Sequence, residues 1–334
     1  NAATVVCSSL PRFPGALPTA ARRPVVMPAY LKILVYLVAV LTAGGLVAPW
    51  VFWGGQALAE VGVTDWLAKF PFHRVLSRSV QISALVLLWP ALRWIGLRRV
   101  ADLGLERNLS AGRDLMAGLL LSIGIVALLA VFYVLVGLFV LVPSPEWNKL
   151  WRIVLTAIAV GSIEEFVFRG VILGLCLWSL RPAAAIAVST LLFAVLHFLK
   201  PGRSALQAGE VHFWSGWTEL TNFAASWPET PVLLAGMASL LVAGWILGAA
   251  AVRTHSLWMP IGLHAGWVFA QQTSQVLLRP APEEVSSLWP WVGPNLVSGA
   301  VPTGLLPLAA LGLTGLLVGF YFRHVFRPVA TRVA

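Results

Sequence analysis

The sequence predicts an all-α fold: a polytopic membrane helical bundle of about eight transmembrane helices, with both termini cytoplasmic. Three observations carry that expectation. The 334 residues are 59% hydrophobic and only 11% charged, against about 25% charged in soluble domains. Apolar runs recur at the length a bilayer demands, about 20 residues each. The charges between those runs sort the connections into two sides. A mean hydropathy of +0.85 agrees, and no stretch reads as a separate soluble domain of useful size.

Residues 1–26 mix Pro, Ala and Arg with little periodicity and read as a disordered tail or a non-native extension ahead of Met27. A signal peptide is disfavoured, because Ala16 to Ala21 is too short and too polar for a hydrophobic core. Residues 27–334 then form a single integral membrane domain. Its spans are expected at about 31–53, 79–97, 115–142, 151–178, 182–200, 232–252, 257–276 and 303–323. The 201–231 connection, rich in Trp and Gly, is expected to hold a short interfacial helix. There is no internal repeat, heptad run or low-complexity segment.

Loop charge sets the orientation. Arg22, Arg23 and Lys32 precede the first span, and Arg93, Arg98, Arg99, Arg107 and Arg113 crowd the second connection. Arg181 and Arg253 occupy the fourth and sixth connections, and Arg323, Arg327 and Arg332 follow the last span. The opposite connections hold Glu146, Glu210, Glu219, Glu229, Glu283 and Glu284. Eight spans with cytoplasmic termini satisfy the positive-inside rule. That scatter also accounts for the net charge of +10 without a nucleic-acid partner. Cys7 and Cys176 support neither a disulfide framework nor a metal cluster.

The fourth run contains Gly161-Ser162-Ile163-Glu164-Glu165-Phe166-Val167-Phe168-Arg169-Gly170. A charge at bilayer depth costs at least about 2.5–3.5 kcal/mol, so such residues usually face a bundle interior and work there. Glu165 and Arg169 are four residues apart and share a helix face, so they can pair. Glu164 points about 100° away and has no partner in its own helix, which makes it the candidate reactive group. Gly170 and Gly174, a small-xxx-small pair, would let another helix approach closely.

Other polar residues narrow the chemistry. Asp65, Asp102 and Asp114 are all expected in connections, which excludes an aspartyl intramembrane protease. No His-Glu-x-x-His is present, and Gly202-Arg203-Ser204, in a charged loop, is a chance likeness to a serine-protease fragment. Two histidines lie at membrane depth. His197 follows Phe193 by four residues, so the aromatic ring shares its face, and His264 sits on the seventh run. A lone helical His is commonly a packing residue; two together with an intramembrane Glu-Glu pair make a candidate site. Whether the three runs bring these groups together depends on tilt or on kinks at Pro182 or Pro260. His73, His212, His255 and His324 are placed in loops or at ends.

Glu164-Glu165-x-x-x-Arg169, Phe193-x-x-x-His197 and the later His264 resemble the CPBP family (ABI family) of membrane proteins. It comprises CAAX prenyl endopeptidases and bacteriocin-processing-like proteins. Asp102-Leu103-Gly104-Leu105 extends the resemblance, as does Ser256-Leu257-Trp258 leading into Gly262-Leu263-His264-Ala265-Gly266-Trp267, so the similar core covers about 100–275. The family's third motif usually carries Asn or a similar polar residue four positions after the His, where this chain has Val268. Loss of one oxyanion donor typically costs about 10²–10³ in rate. Gln271, roughly 10 Å further along the axis, does not simply replace it.

The resemblance implies an intramembrane endopeptidase acting on a membrane-associated peptide or protein. Glu164 would deprotonate water and His197 would hold that water. His264 would stabilise the oxyanion, and Arg169 would pair with Glu165. No cofactor is required by this reading. Zinc is the alternative, with Glu164, His197 and His264 as metal candidates, because the family has been described both as metallopeptidases and as glutamate-dependent enzymes. Two rival readings stand beside it: a catalytically inactive relative serving as a scaffold or bacteriocin-immunity-like protein, and a proton-coupled transporter. The dominance of Arg over Lys suggests a GC-rich bacterial genome, hence a multi-pass protein of the bacterial inner membrane.

Overall fold

The computed structural model describes residues 29–63, 69–97, 99, 108–198, 206, 208–221, 227, 229–281, 289–293 and 303–325. The tail 1–26, the Asp102–Leu105 motif, Gly202–Ser204 and Glu283–Glu284 lie outside them. In chain order come α1 (Ala29–Glu60), α2 (Phe72–Ile95), α3 (Ala111–Leu135) and a short strand, β1 (Phe139–Leu141). Next are α4 (Leu150–Glu165), a π-helical segment (Phe166–Ile172) and α5 (Leu173–Leu177), which run on from one another. The chain continues with α6 (Pro182–Phe198), α7 (Ser215–Thr221), α8 (Thr230–Thr254), α9 (Trp258–Leu277), β2 (Leu278–Pro280) and α10 (Leu305–His324).

Helical structure therefore occupies every apolar run expected from the sequence. Among the described residues, five helices are long and apolar enough to cross a membrane: Leu31–Glu60 within α1, and α2, α3, α8 and α10. The other three runs appear as the α4–π–α5 unit, the 17-residue α6 and the 20-residue α9. Large apolar side chains such as Leu34, Val86, Leu120, Leu155 and Leu316 cover the outside, as a hydrocarbon environment requires. This is an integral membrane protein with a helical bundle. The third run ends earlier than expected, at Leu135, because Gly137 turns the chain with φ of 75°. Residues 139–141 then pair antiparallel with 278–280. The expected short helix in the 201–231 connection is α7.

Glycine sets how deeply α9 is buried. A Cβ on Gly262 would stand 2.2 Å from the Leu115 carbonyl oxygen, and one on Gly266 would stand 1.9 Å from Ser122 Oγ. Across the interface, a Cβ on Gly118 would meet the Met259 carbonyl oxygen at 2.6 Å. On the opposite side of α9, Gly161 of α4 leaves room for Ala265, whose Cβ lies 2.9 Å from the position its own Cβ would take. So α9 is clamped between α3 and α4 with backbones close enough for dispersion to hold them. Gly170 and Gly174 are buried too, but the small-residue seam beside the site is this one.

Asp114, expected in a connection, lies in the first turn of α3 and is wholly buried. Tyr321 Oη donates to its Oδ1 at 2.5 Å and Asn108 Nδ2 to its Oδ2 at 2.8 Å, with Arg113 Nε 3.4 Å from Oδ1. The carboxylate ties the start of α3 to the end of α10. At the other end of the bundle, Tyr133, Phe139, Leu278 and Val292 form an apolar plug.

Candidate active site

The fourth run delivers its two acids in the directions that helical geometry dictates. Glu165 faces inward with no side-chain exposure, while Glu164 keeps 31%. Arg169 NH1 donates to Glu165 Oε1 at 2.9 Å, one turn on, as the four-residue spacing predicts. The guanidinium also lies 4.3 Å from the Phe193 ring centroid and 3.5 Å from the Gly244 carbonyl oxygen, to which NH2 donates. It is thus held from three helices.

Between the acids and the arginine the hydrogen-bond ladder changes register. Residues 166–172 are π-helical, a feature that often accompanies functional sites and that hydropathy does not reveal. Ser189 Oγ of α6 donates to the Phe168 carbonyl at 2.9 Å inside this segment. Pro182 and Pro260 do not kink their helices; each lies in a first turn, where a missing N–H costs nothing.

The histidines arrive from α6 and α9 and do meet the acids. His197 Nε2 is 3.6 Å and His264 Nε2 is 3.9 Å from Glu164 Oε2. That oxygen is buried and accepts no hydrogen bond among the described residues. The second ring nitrogen of each histidine is anchored. His264 Nδ1 stands 2.7 Å from Glu165 Oε1, and His197 Nδ1 stands 2.8 Å from the Phe193 carbonyl oxygen. Carboxylate and carbonyl oxygens only accept, so in both rings Nδ1–H donates and Nε2 is directed to Glu164. Arg169 and His264 thus share one oxygen of Glu165, leaving Oε2 buried and without a partner among the described residues. Phe193 joins the group, its centroid 4.4 Å from the His197 ring, 6.1 Å from His264 and 5.0 Å from Phe168.

Every residue the sequence singled out for the site is therefore within one cluster. Val268 and Gln271 line a cavity shared with both histidines. For a metal, the relevant atoms are Glu164 Oε2 and the two Nε2 atoms. Tetrahedral zinc with bonds of about 2.0–2.1 Å spaces its ligands about 3.3 Å apart, closer than the 3.6 and 3.9 Å found here. Among the described residues no group of three or more His, Cys, Asp and Glu has a metal-holding arrangement.

Residues 146–270 match the family model described as type II CAAX prenyl endopeptidase Rce1-like, an intramembrane protease family. The matched segment holds Glu164, Glu165, Arg169, His197 and His264 together. No match was found among curated proteins or among solved structures.

Proposed function

We propose, on the premise of that family match, that this protein is an endopeptidase in which Glu164 activates water to hydrolyse a peptide bond of a membrane-associated substrate. One observation carries the reading: Glu164 Oε2 and both histidine Nε2 atoms converge inside the matched segment. With Nδ1–H given to the Phe193 carbonyl, His197 turns Nε2 toward Glu164 Oε2. A water placed about 2.8 Å from both that nitrogen and Glu164 Oε2 would subtend about 80° at its oxygen, a spacing a single water can bridge. It would donate one proton to each and turn its lone pairs outward.

As that oxygen attacks the scissile carbonyl carbon, its proton passes to Glu164. Charge gathers on the carbonyl oxygen. His264 stabilises it by donating from Nε2, which requires both ring nitrogens to carry protons while Nδ1 holds Glu165. The Glu165 carboxylate lies where it offsets that cation. Collapse of the intermediate breaks the C–N bond, and Glu164 returns the proton to the leaving amine. Arg169 keeps Glu165 aimed at His264 and does not touch the substrate.

Both termini cytoplasmic and eight crossings remain the proposed topology. It is supported by Arg113, Arg253 and Arg323 lying on helix ends joined through Asp114–Tyr321 and through Arg253 over Phe322, 5.6 Å from the ring centroid. A bacterial inner membrane is the proposed location. The test is cleavage of a fluorogenic membrane-peptide library by the protein in nanodiscs beside Glu164→Gln. Cleavage abolished by the amide supports the hydrolase; cleavage at the wild-type rate refutes it. Val268, an alkyl side chain beside both histidines, favours a second reading, a relative that has lost catalysis. Cleavage by Val268→Asn but not by the wild type would establish that one.

A further inference from the structure

The cavity beside the histidines has a volume of about 130 Å³ and a mostly apolar wall contributed by α3, α6, α8, α9 and α10. That is close to the roughly 150 Å³ of an apolar cavity that takes benzene, so it has room for one large apolar side chain. Its wall includes Ser239 of α8, which is 2% exposed.

Four hydroxyls on these helices are occupied by the carbonyl one turn back. Ser122 donates to Gly118 at 2.8 Å, Thr254 to Ala250 at 2.8 Å, Ser274 to Ala270 at 2.8 Å and Thr314 to Ala310 at 3.0 Å. Back-bonding of this kind is the normal outlet for a helical serine in an apolar setting. Ser239 Oγ makes no such bond and, like Tyr133 Oη on the same wall and Thr273 Oγ1 of α9, has no partner among the described residues. A buried hydroxyl without a partner is costly and calls for an explanation. Its position on the wall shared with His197 and His264 supplies one.

We propose that Ser239 is a substrate-binding residue: its hydroxyl donates to a backbone carbonyl of an apolar peptide segment, one of whose side chains fills this cavity. The inference rests on the proteolytic reading above and deepens it. The histidines and Glu164 act on the scissile bond; Ser239 fixes the register of the chain that carries it. Because the bond forms in the ground state and persists through reaction, its loss raises KM and leaves kcat nearly unchanged. A neutral hydrogen bond of this kind corresponds to a change of about tenfold.

The experiment separates binding from cleavage. A dansyl-labelled, end-capped Leu-Leu-Val-Leu peptide is titrated into nanodiscs carrying the Glu164→Gln protein, with serine, Ala or Thr at position 239. Thr retains the hydroxyl and Ala removes it; thermal unfolding of each variant controls for folding. The expected result is saturable binding, weakened about tenfold by Ser239→Ala and regained in Ser239→Thr. Equal affinity of the Ser and Ala proteins overturns the proposal, and so does the absence of saturable binding in all three. Failure of the hydrolase reading shows elsewhere, as cleavage that survives Glu164→Gln.

Discussion

Arg169→Met is expected to destabilise the protein through Glu165. The guanidinium has 1% side-chain exposure and the carboxylate none, so water cannot replace the lost partner. Breaking a buried pair from one side costs about 3–5 kcal/mol, whereas replacing both charges is often near neutral. Methionine fills much of the same volume against Phe193 and Phe168, but the cation–π contact, worth about 2 kcal/mol when desolvated, is also lost. Adding Glu165→Gln should recover most of the stability, since the amide oxygen still accepts from His264 Nδ1 while no charge is stranded. The assay is reversible unfolding in mixed SDS micelles, followed by tryptophan fluorescence, for wild type, both single variants and the double variant. A double variant no more stable than Arg169→Met would refute the reasoning, as would an Arg169→Met protein as stable as wild type. Cleavage should remain depressed in the double variant even where stability returns, because a neutral side chain at 165 no longer offsets a doubly protonated His264.

Gly262→Ala puts a methyl group 2.2 Å from the Leu115 carbonyl oxygen. It should cost about 1–3 kcal/mol by overpacking and lower activity by displacing His264, whereas Gly112→Ala, which meets open space, should do neither; unfolding and cleavage assays read both. Ser189→Ala removes one of two hydrogen bonds to the Phe168 carbonyl, which still accepts from the Leu173 N–H, and is expected to cost about 0.5–1.5 kcal/mol, measured by the same unfolding assay. Tyr321→Phe removes one hydrogen bond to the buried Asp114 carboxylate. That should lower stability by about 1.5–3 kcal/mol while leaving kcat and KM of a cleaved peptide within about twofold. Val268→Asn places an amide on the cavity wall beside the histidines and is expected to raise kcat; an unchanged or lower kcat would show that no oxyanion donor is missing.

The parts of the site that depend on one helix were legible in the chain. The Glu165–Arg169 pair, the outward turn of Glu164 and the Phe193–His197 face all follow from a 3.6-residue period. The convergence of His264 with Glu164 was not, because it depends on how far α9 sinks between α3 and α4. That depth is set by contacts of Gly262, Gly266 and Gly161 with residues distant in sequence. Asp114 was misplaced by a helix start a few residues early, since hydropathy does not register a carboxylate satisfied by Tyr321 and Asn108. The π segment has no propensity signature, and Ser239 is an ordinary serine until the packing of five helices buries its hydroxyl on the cavity wall. The apolar runs themselves were plain, because a bilayer imposes length and composition directly.

The change of register at 166–172 makes this span intolerant of a particular kind of change. Upstream, α4 meets α9; downstream, α5 meets α6 and α1. An i→i+5 ladder accommodates a residue that an α-helix would not, and that residue lets the two halves present their faces in different phases. Removing any one residue from the segment, even an inert alkyl one, would rotate everything after it by about 100°. Insertions and deletions here are therefore more damaging than side-chain replacements, and the spacing between the acids and Cys176 is itself a structural parameter of the site.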